Sequence, residues 1–112
     1  MVIIAFSEKT SKIFPRIICR KFKHCAPIIP VGRSMVMYQF TAPGRIAKID
    51  INMHGIRRLR AAGWRFVYMP CDAPIGFECD GALTCVDLSK RALRIHAPWL
   101  LTPDGLYMHL HK

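Results

Sequence analysis

Hydrophobic and polar positions along this chain follow two different periods, and the switches between them mark out its elements. Val2 to Phe6 is a continuous apolar run of strand length. From Lys9 to Lys23 the apolar residues Ile13, Phe14, Ile17, Ile18 and Phe22 recur at helical spacing among Lys12, Arg16, Arg20, Lys21 and Lys23. Pro15 suits only a first turn, so the regular part of that helix is expected to start near it. His24 to Val31 reads as a strand whose Pro27 and Pro30 limit ladder bonding, hence an edge or bulged strand. Gly32-Arg33 turns the chain into Ser34–Thr41, where Met35, Met37 and Gln39 alternate with Val36, Tyr38 and Phe40, and both faces are expected to be buried. Pro43-Gly44 turns it again. Arg45 to Asn52 alternates Ala47, Ile49 and Ile51 against Ile46, Lys48 and Asp50, which predicts a half-exposed strand. These three consecutive strands form an antiparallel meander.

The second half is punctuated more by helices. Gly55 to Ala62, with Ile56 and Leu59 among Arg57, Arg58 and Arg60, predicts a short helix ended by Gly63, and Trp64 to Met69 is the next strand. Pro70 to Gly81 holds Pro70, Pro74, Gly76, Gly81 and three acidic residues, so it is a loop. Apolar or small positions at Cys85, Leu88, Ala92 and Ile95 then predict an amphipathic helix, with Thr84 and Asp87 at capping-box spacing around its start. Thr102-Pro103-Asp104 opens a last short helix. No repeat and no low-complexity tract interrupts this order. The pattern predicts a single α+β domain over residues 1–112, an antiparallel sheet of about four to five strands packed against the late helix that carries Cys85.

Composition narrows the class. A hydrophobic content of 52% in 112 residues is enough to bury a core, and excludes a disordered chain. The five cysteines (Cys19, Cys25, Cys71, Cys79 and Cys85) are odd in number and include no C-x-x-C pair, which predicts reduced thiols in a cytoplasmic compartment. Cys19, His24 and Cys25 cluster in sequence, but the short knuckles of a structural zinc site are missing, so neither metal nor cofactor is expected. The opening Met-Val-Ile-Ile-Ala-Phe has no basic start or cleavage site and reads as a strand, not a signal peptide. No apolar run has the length of a membrane span. The net charge of +10 favours anionic partners, among them nucleic acid, anionic lipid and acidic polymers.

The candidate chemistry centres on Cys85. As first residue of its helix it feels the positive end of the helix dipole, which favours thiolate over thiol. Such a nucleophile needs a base, commonly a histidine oriented by a third polar group. Of five histidines, His109 and His111 lie near the chain's end, His96 follows the Cys85 helix, and His54 lies at a strand-to-helix junction. His24 opens a strand among apolar neighbours. A hairpin of His24–Val31 with Ser34–Thr41 brings the start of the first strand beside the end of the second, where Gln39 is the one amide. Its carbonyl either accepts the imidazole N–H of His24, fixing the tautomer, or is satisfied by backbone.

With His24-Cys25-Ala26 opening a strand, Gln39 on the next, and Thr84-Cys85-Val86-Asp87-Leu88 opening a late helix, the chain resembles the papain-like NlpC-type cysteine hydrolases. The order His, polar residue, Cys is similar to the circularly permuted branch that includes lecithin:retinol acyltransferase-like proteins, and Leu101 to Tyr107 is similar to the tail of small bacterial and phage-encoded members. The resemblance implies a permuted papain-like fold and a catalytic triad of Cys85, His24 and Gln39. It also implies amide or ester substrates in peptides, peptidoglycan peptides or acyl lipids. Val86-Asp87 stands where many members have Ser-Gly, so an inactive relative that kept the scaffold is one alternative. A non-enzymatic basic module is the other, using Arg16, Arg20, Lys21 and Lys23 with Arg57, Arg58 and Arg60 against nucleic acid or an anionic surface.

Overall fold

The computed structural model describes residues 1–7, 24–42, 45–71, 82 and 84–111. Among them the chain forms an α+β fold in the order β1 (Val2–Ser7), β2 (His24–Val31), β3 (Ser34–Ala42), β4 (Arg45–Ile51), α1 (Met53–Ala61), β5 (Arg65–Met69), α2 (Cys85–Leu93) and α3 (Pro103–Leu110). The strands make one five-stranded antiparallel sheet in the order β4-β3-β2-β1-β5. The basic helix expected over Lys9–Lys23, the Pro43-Gly44 turn and most of the Pro70–Gly81 loop lie outside the described residues.

The β2-β3-β4 meander is present, with Val31 paired to Ser34 across the Gly32-Arg33 turn. Gly32 has φ +62°, the positive value that the first central position of a type II′ hairpin turn requires. The strand β2 is central, however, and not the edge strand that its prolines predict. Its two flanks are paired over different stretches, His24–Ile28 with β1 and Ile28–Val31 with β3. Pro27 therefore lies outside the ladder to β3 and Pro30 outside the ladder to β1. Residues three apart direct their nitrogens to opposite flanks, so the offset lets the sheet carry both imides in its middle.

Every residue of β1 is buried, because the strand sits between β2 and β5 with helices over both of its faces. On one face Ile3 and Ala5 join Ala26, Ile28 and Met37 beneath Ile56 of α1. On the other, Val2, Ile4 and Phe6 join Cys25 and Ile29 against Val86, Ala92 and Leu93 of α2 and Leu106 of α3. Burying each such side chain contributes roughly 1.5–3 kcal/mol, the term that holds the helices to the sheet. Toward β4 the cover thins. Among the described side chains of β3 only Met37 and Phe40 are buried, where the sequence pattern predicts both faces largely buried, and Ile49 of the half-exposed β4 is 47% exposed. The reason is position, since β4 is the sheet's edge and α1 reaches it chiefly near Ile51.

The helix starts are set by side-chain caps. Asn52 Oδ1 accepts from Gly55 N–H at 2.9 Å, which starts α1 two residues earlier than its apolar pattern indicates. Thr84 Oγ1 accepts from Asp87 N–H at 3.0 Å at the head of α2, and Thr102 does the same for Gly105 at 3.1 Å in α3. A cap of this kind is worth about 1 kcal/mol. At α2 it also fixes where Cys85 stands.

Candidate active site

Three elements converge on the head of α2. Cys85 is its first residue, directly after the Thr84 cap, and is partly buried against the core on the α2 side of the sheet. Beneath it lies the opening of β2, where His24 and Cys25 are consecutive and so point to opposite faces. Cys25 faces α2 and is fully buried. His24, as first residue of the strand, has its ring at the sheet's end, where the head of α2 comes within reach of it. Both residues act on the Cys85 thiol and favour its ionised form.

Gln39 completes the group from β3. Its Oε1 lies 2.6 Å from His24 Nε2, and its amide nitrogen donates to the Met37 thioether at 3.5 Å. A thioether can only accept, so the amide's N–H₂ end belongs on Met37 and its carbonyl on His24. A carbonyl can only accept as well, which places a proton on His24 Nε2. That leaves Nδ1 as the ring nitrogen available to the thiol. The ring is also braced by Trp64, edge to face, at a centroid distance of 6.2 Å and an interplanar angle of 87°.

These contacts bring the Cys85 thiol down from an ordinary 9.0 to about 4. The largest contribution comes from the Cys25 thiol, whose S–H donates to the ionised sulfur. Burial opposes it by penalising charge. The hydrogen bond from His24, the positive charge on its ring and the backbone N–H of Cys25 add to the lowering. The head of the helix, where backbone N–H groups lack intrahelical acceptors, favours the same anion. Cys25 is itself held in place, since the buried Ser89 hydroxyl donates to its sulfur at 3.5 Å.

The structure thus brings Cys85, His24 and Gln39 together. Of the other histidines, His54 is exposed in the first turn of α1, His96 is exposed beyond α2, His109 is in α3, and His111 donates from Nδ1 to the Tyr107 carbonyl at 2.7 Å. Cys25 and Ser89 were not legible as parts of this site from their own motifs. Two signals point to them in hindsight: Cys25 alternates with His24, and Ser89 lies four residues after Cys85 on the same face of its helix. Cys25, Cys71 and Cys85 are thiols and not disulfides, and no cluster of three or more His, Cys, Asp or Glu side chains suited to a metal occurs among the described residues. No helix among them is long and apolar enough to cross a membrane. The chain matches no protein-family model, no curated protein and no solved structure.

Proposed function

We propose that this protein is a cysteine hydrolase or acyltransferase of the permuted papain-like class, acting on amide or ester bonds through Cys85, His24 and Gln39. The observation that carries this reading is the 2.6 Å bond from His24 to Gln39 beside the Cys85 thiol at the head of α2. In the resting site the thiolate of Cys85 faces the imidazolium of His24. The thiolate attacks the substrate carbonyl carbon, and negative charge develops on the carbonyl oxygen. The N–H of Cys85, pointing out of the first turn of α2, is oriented to stabilise that charge. His24 then gives its proton to the departing amine or alcohol, and the acyl group remains on sulfur as a thioester. Water, or another acceptor, loses a proton to His24 as it attacks the thioester, and Cys85 is released. Gln39 acts throughout by keeping Nε2 protonated and Nδ1 turned to the reacting atoms. Peptides, peptidoglycan peptides and acyl lipids are the substrate classes that fit this reading.

Hydrolysis of an activated ester such as p-nitrophenyl acetate tests it. Cys85→Ala is expected to leave only the uncatalysed rate. Gln39→Ala removes one hydrogen bond to a charged ring, worth roughly 1.5–3 kcal/mol, and is expected to lower kcat by about 10- to 100-fold. Gln39→Glu keeps an acceptor for Nε2–H and should recover most of that loss. Equal rates for the wild type and Cys85→Ala would remove the reading.

A second reading, a basic binding module, rests on the exposed guanidinium-bearing residues Arg57 and Arg58 of α1. It requires binding to nucleic acid or anionic vesicles that weakens steeply with salt.

A further inference from the structure

Close to His24, a hollow of about 400 Å³ opens between Arg60, Gly63, Trp64, Arg65, Phe66 and Tyr107. Its position follows from the sheet. Arg65 pairs with Phe6, and Phe6 pairs with Cys25, so Arg65 and Cys25 lie two strands apart, about 10 Å. Trp64 stands between the hollow and the site, one wall of the first and edge-on to the His24 ring of the second. A substrate whose carbonyl sits at Cys85 needs only a short extended arm to pass Trp64 and enter.

The lining states what that arm should carry. Arg60 is pre-set, since its guanidinium donates to the Tyr68 hydroxyl at 3.0 Å and lies over the Phe66 ring at 5.5 Å. Arg65 is exposed and lines the same hollow, and no acidic residue is among the described residues that line it. A planar guanidinium matches a carboxylate with two parallel hydrogen bonds, and the aromatic walls suit the apolar stem that delivers it. Two arginines around one small hollow suit a single acid group better than the spaced phosphates of a nucleic-acid strand.

We propose that this hollow is a specificity subsite of the Cys85 site, selecting acyl groups that bear a carboxylate at the far end of a short chain, with Arg60 and Arg65 holding the acid and Trp64 carrying its stem. The assignment rests on the reading of Cys85 as the nucleophile.

The p-nitrophenyl monoester of suberic acid and its terminal-carboxamide counterpart test it, because they differ only in the group that reaches the arginines. The wild type is expected to favour the acid by roughly tenfold or more in kcat/KM, mainly through KM. In Arg60→Gln/Arg65→Gln that preference should collapse toward unity, and an unchanged preference would overturn the proposal. A separate titration of suberate into Cys85→Ala, followed by calorimetry, keeps the two readings apart. Saturable binding that the added arginine substitutions abolish supports the acid-binding hollow, and no binding overturns it. Esters hydrolysed equally by the wild type and Cys85→Ala would instead remove the hydrolase reading, leaving suberate binding to report on the arginines by themselves.

Discussion

At about pH 5, an aromatic disulfide reagent is expected to modify Cys85 roughly 30-fold faster than an accessible thiol of ordinary pKa, and His24→Ala is expected to lower that lead. The sign follows from ionisation. A thiol with its midpoint at about 4 is mostly thiolate at this pH. An ordinary one near 8.5 is ionised to about 0.03%, a ratio of roughly 3,000. Low basicity costs part of this gain. With a Brønsted slope of about 0.4–0.5, a midpoint some 4–5 units lower makes each thiolate about 100-fold less nucleophilic. Raising the pH ionises the ordinary thiol and leaves Cys85 unchanged, so the lead shrinks about tenfold per unit and is gone near pH 7. Below about 4 the Cys85 thiolate itself is protonated and its rate falls. His24→Ala removes a hydrogen bond and a positive charge, both of which lower the midpoint, so the midpoint rises and the lead at low pH falls. The contacts from Cys25 remain, which keeps the variant short of the ordinary 9.0. Cys71, also partly buried, is the internal comparison, and peptide mapping after partial modification reads the ratio. Equal modification of Cys71 and Cys85 at low pH would contradict the site described above.

Phe6→Ala is expected to cost about 3–5 kcal/mol, a large part of the 5–15 kcal/mol that usually separates folded from unfolded states. Phe6 has no exposed surface and lies between Cys25 on β2 and Arg65 on β5. Its ring meets Tyr107 of α3 edge to face, at a centroid distance of 5.1 Å. Truncation leaves a cavity where β1, the site's Cys25 and the last helix meet, and little can collapse into it because the sheet fixes the neighbours on β2 and β5. At roughly 4 °C per kcal/mol, thermal unfolding should move down by about 10–20 °C. Trp99→Ala, at a residue 72% exposed, is the control and should shift it by no more than about 2 °C. A small shift for Phe6→Ala would mean that α3 is not docked on β1 as described.

How much of this was legible in the sequence differs from element to element. The apolar run Val2–Phe6, the Gly32-Arg33 turn and the Thr84 cap could be read directly, because each is set by residues within one turn or one strand. The helix-head position of Cys85 and the juxtaposition of His24 with Gln39 followed from the hairpin, which is also local. What the pattern did not contain is which strands become neighbours across long loops. Nothing in Val2–Ser7 announces that it will lie between β2 and β5, and that pairing is what places β2 in the middle of the sheet despite Pro27 and Pro30. Burial at β3 was overestimated for the same reason, since hydrophobic alternation does not report how far a covering helix extends. Cys25 carried too little signal alone. Its part in the site exists only because α2 packs on the face opposite to His24.

The central claim is that Cys85 is a nucleophile served by His24 and Gln39. Its most direct test is to mix the protein with excess p-nitrophenyl acetate, quench in acid within the first turnovers, and map the acetyl group by mass spectrometry. The account predicts an acetyl thioester on Cys85 that forms and disappears with turnover, and that forms much more slowly in His24→Ala. Acetyl groups spread over lysines and the other thiols, with Cys85 unmodified, would contradict it.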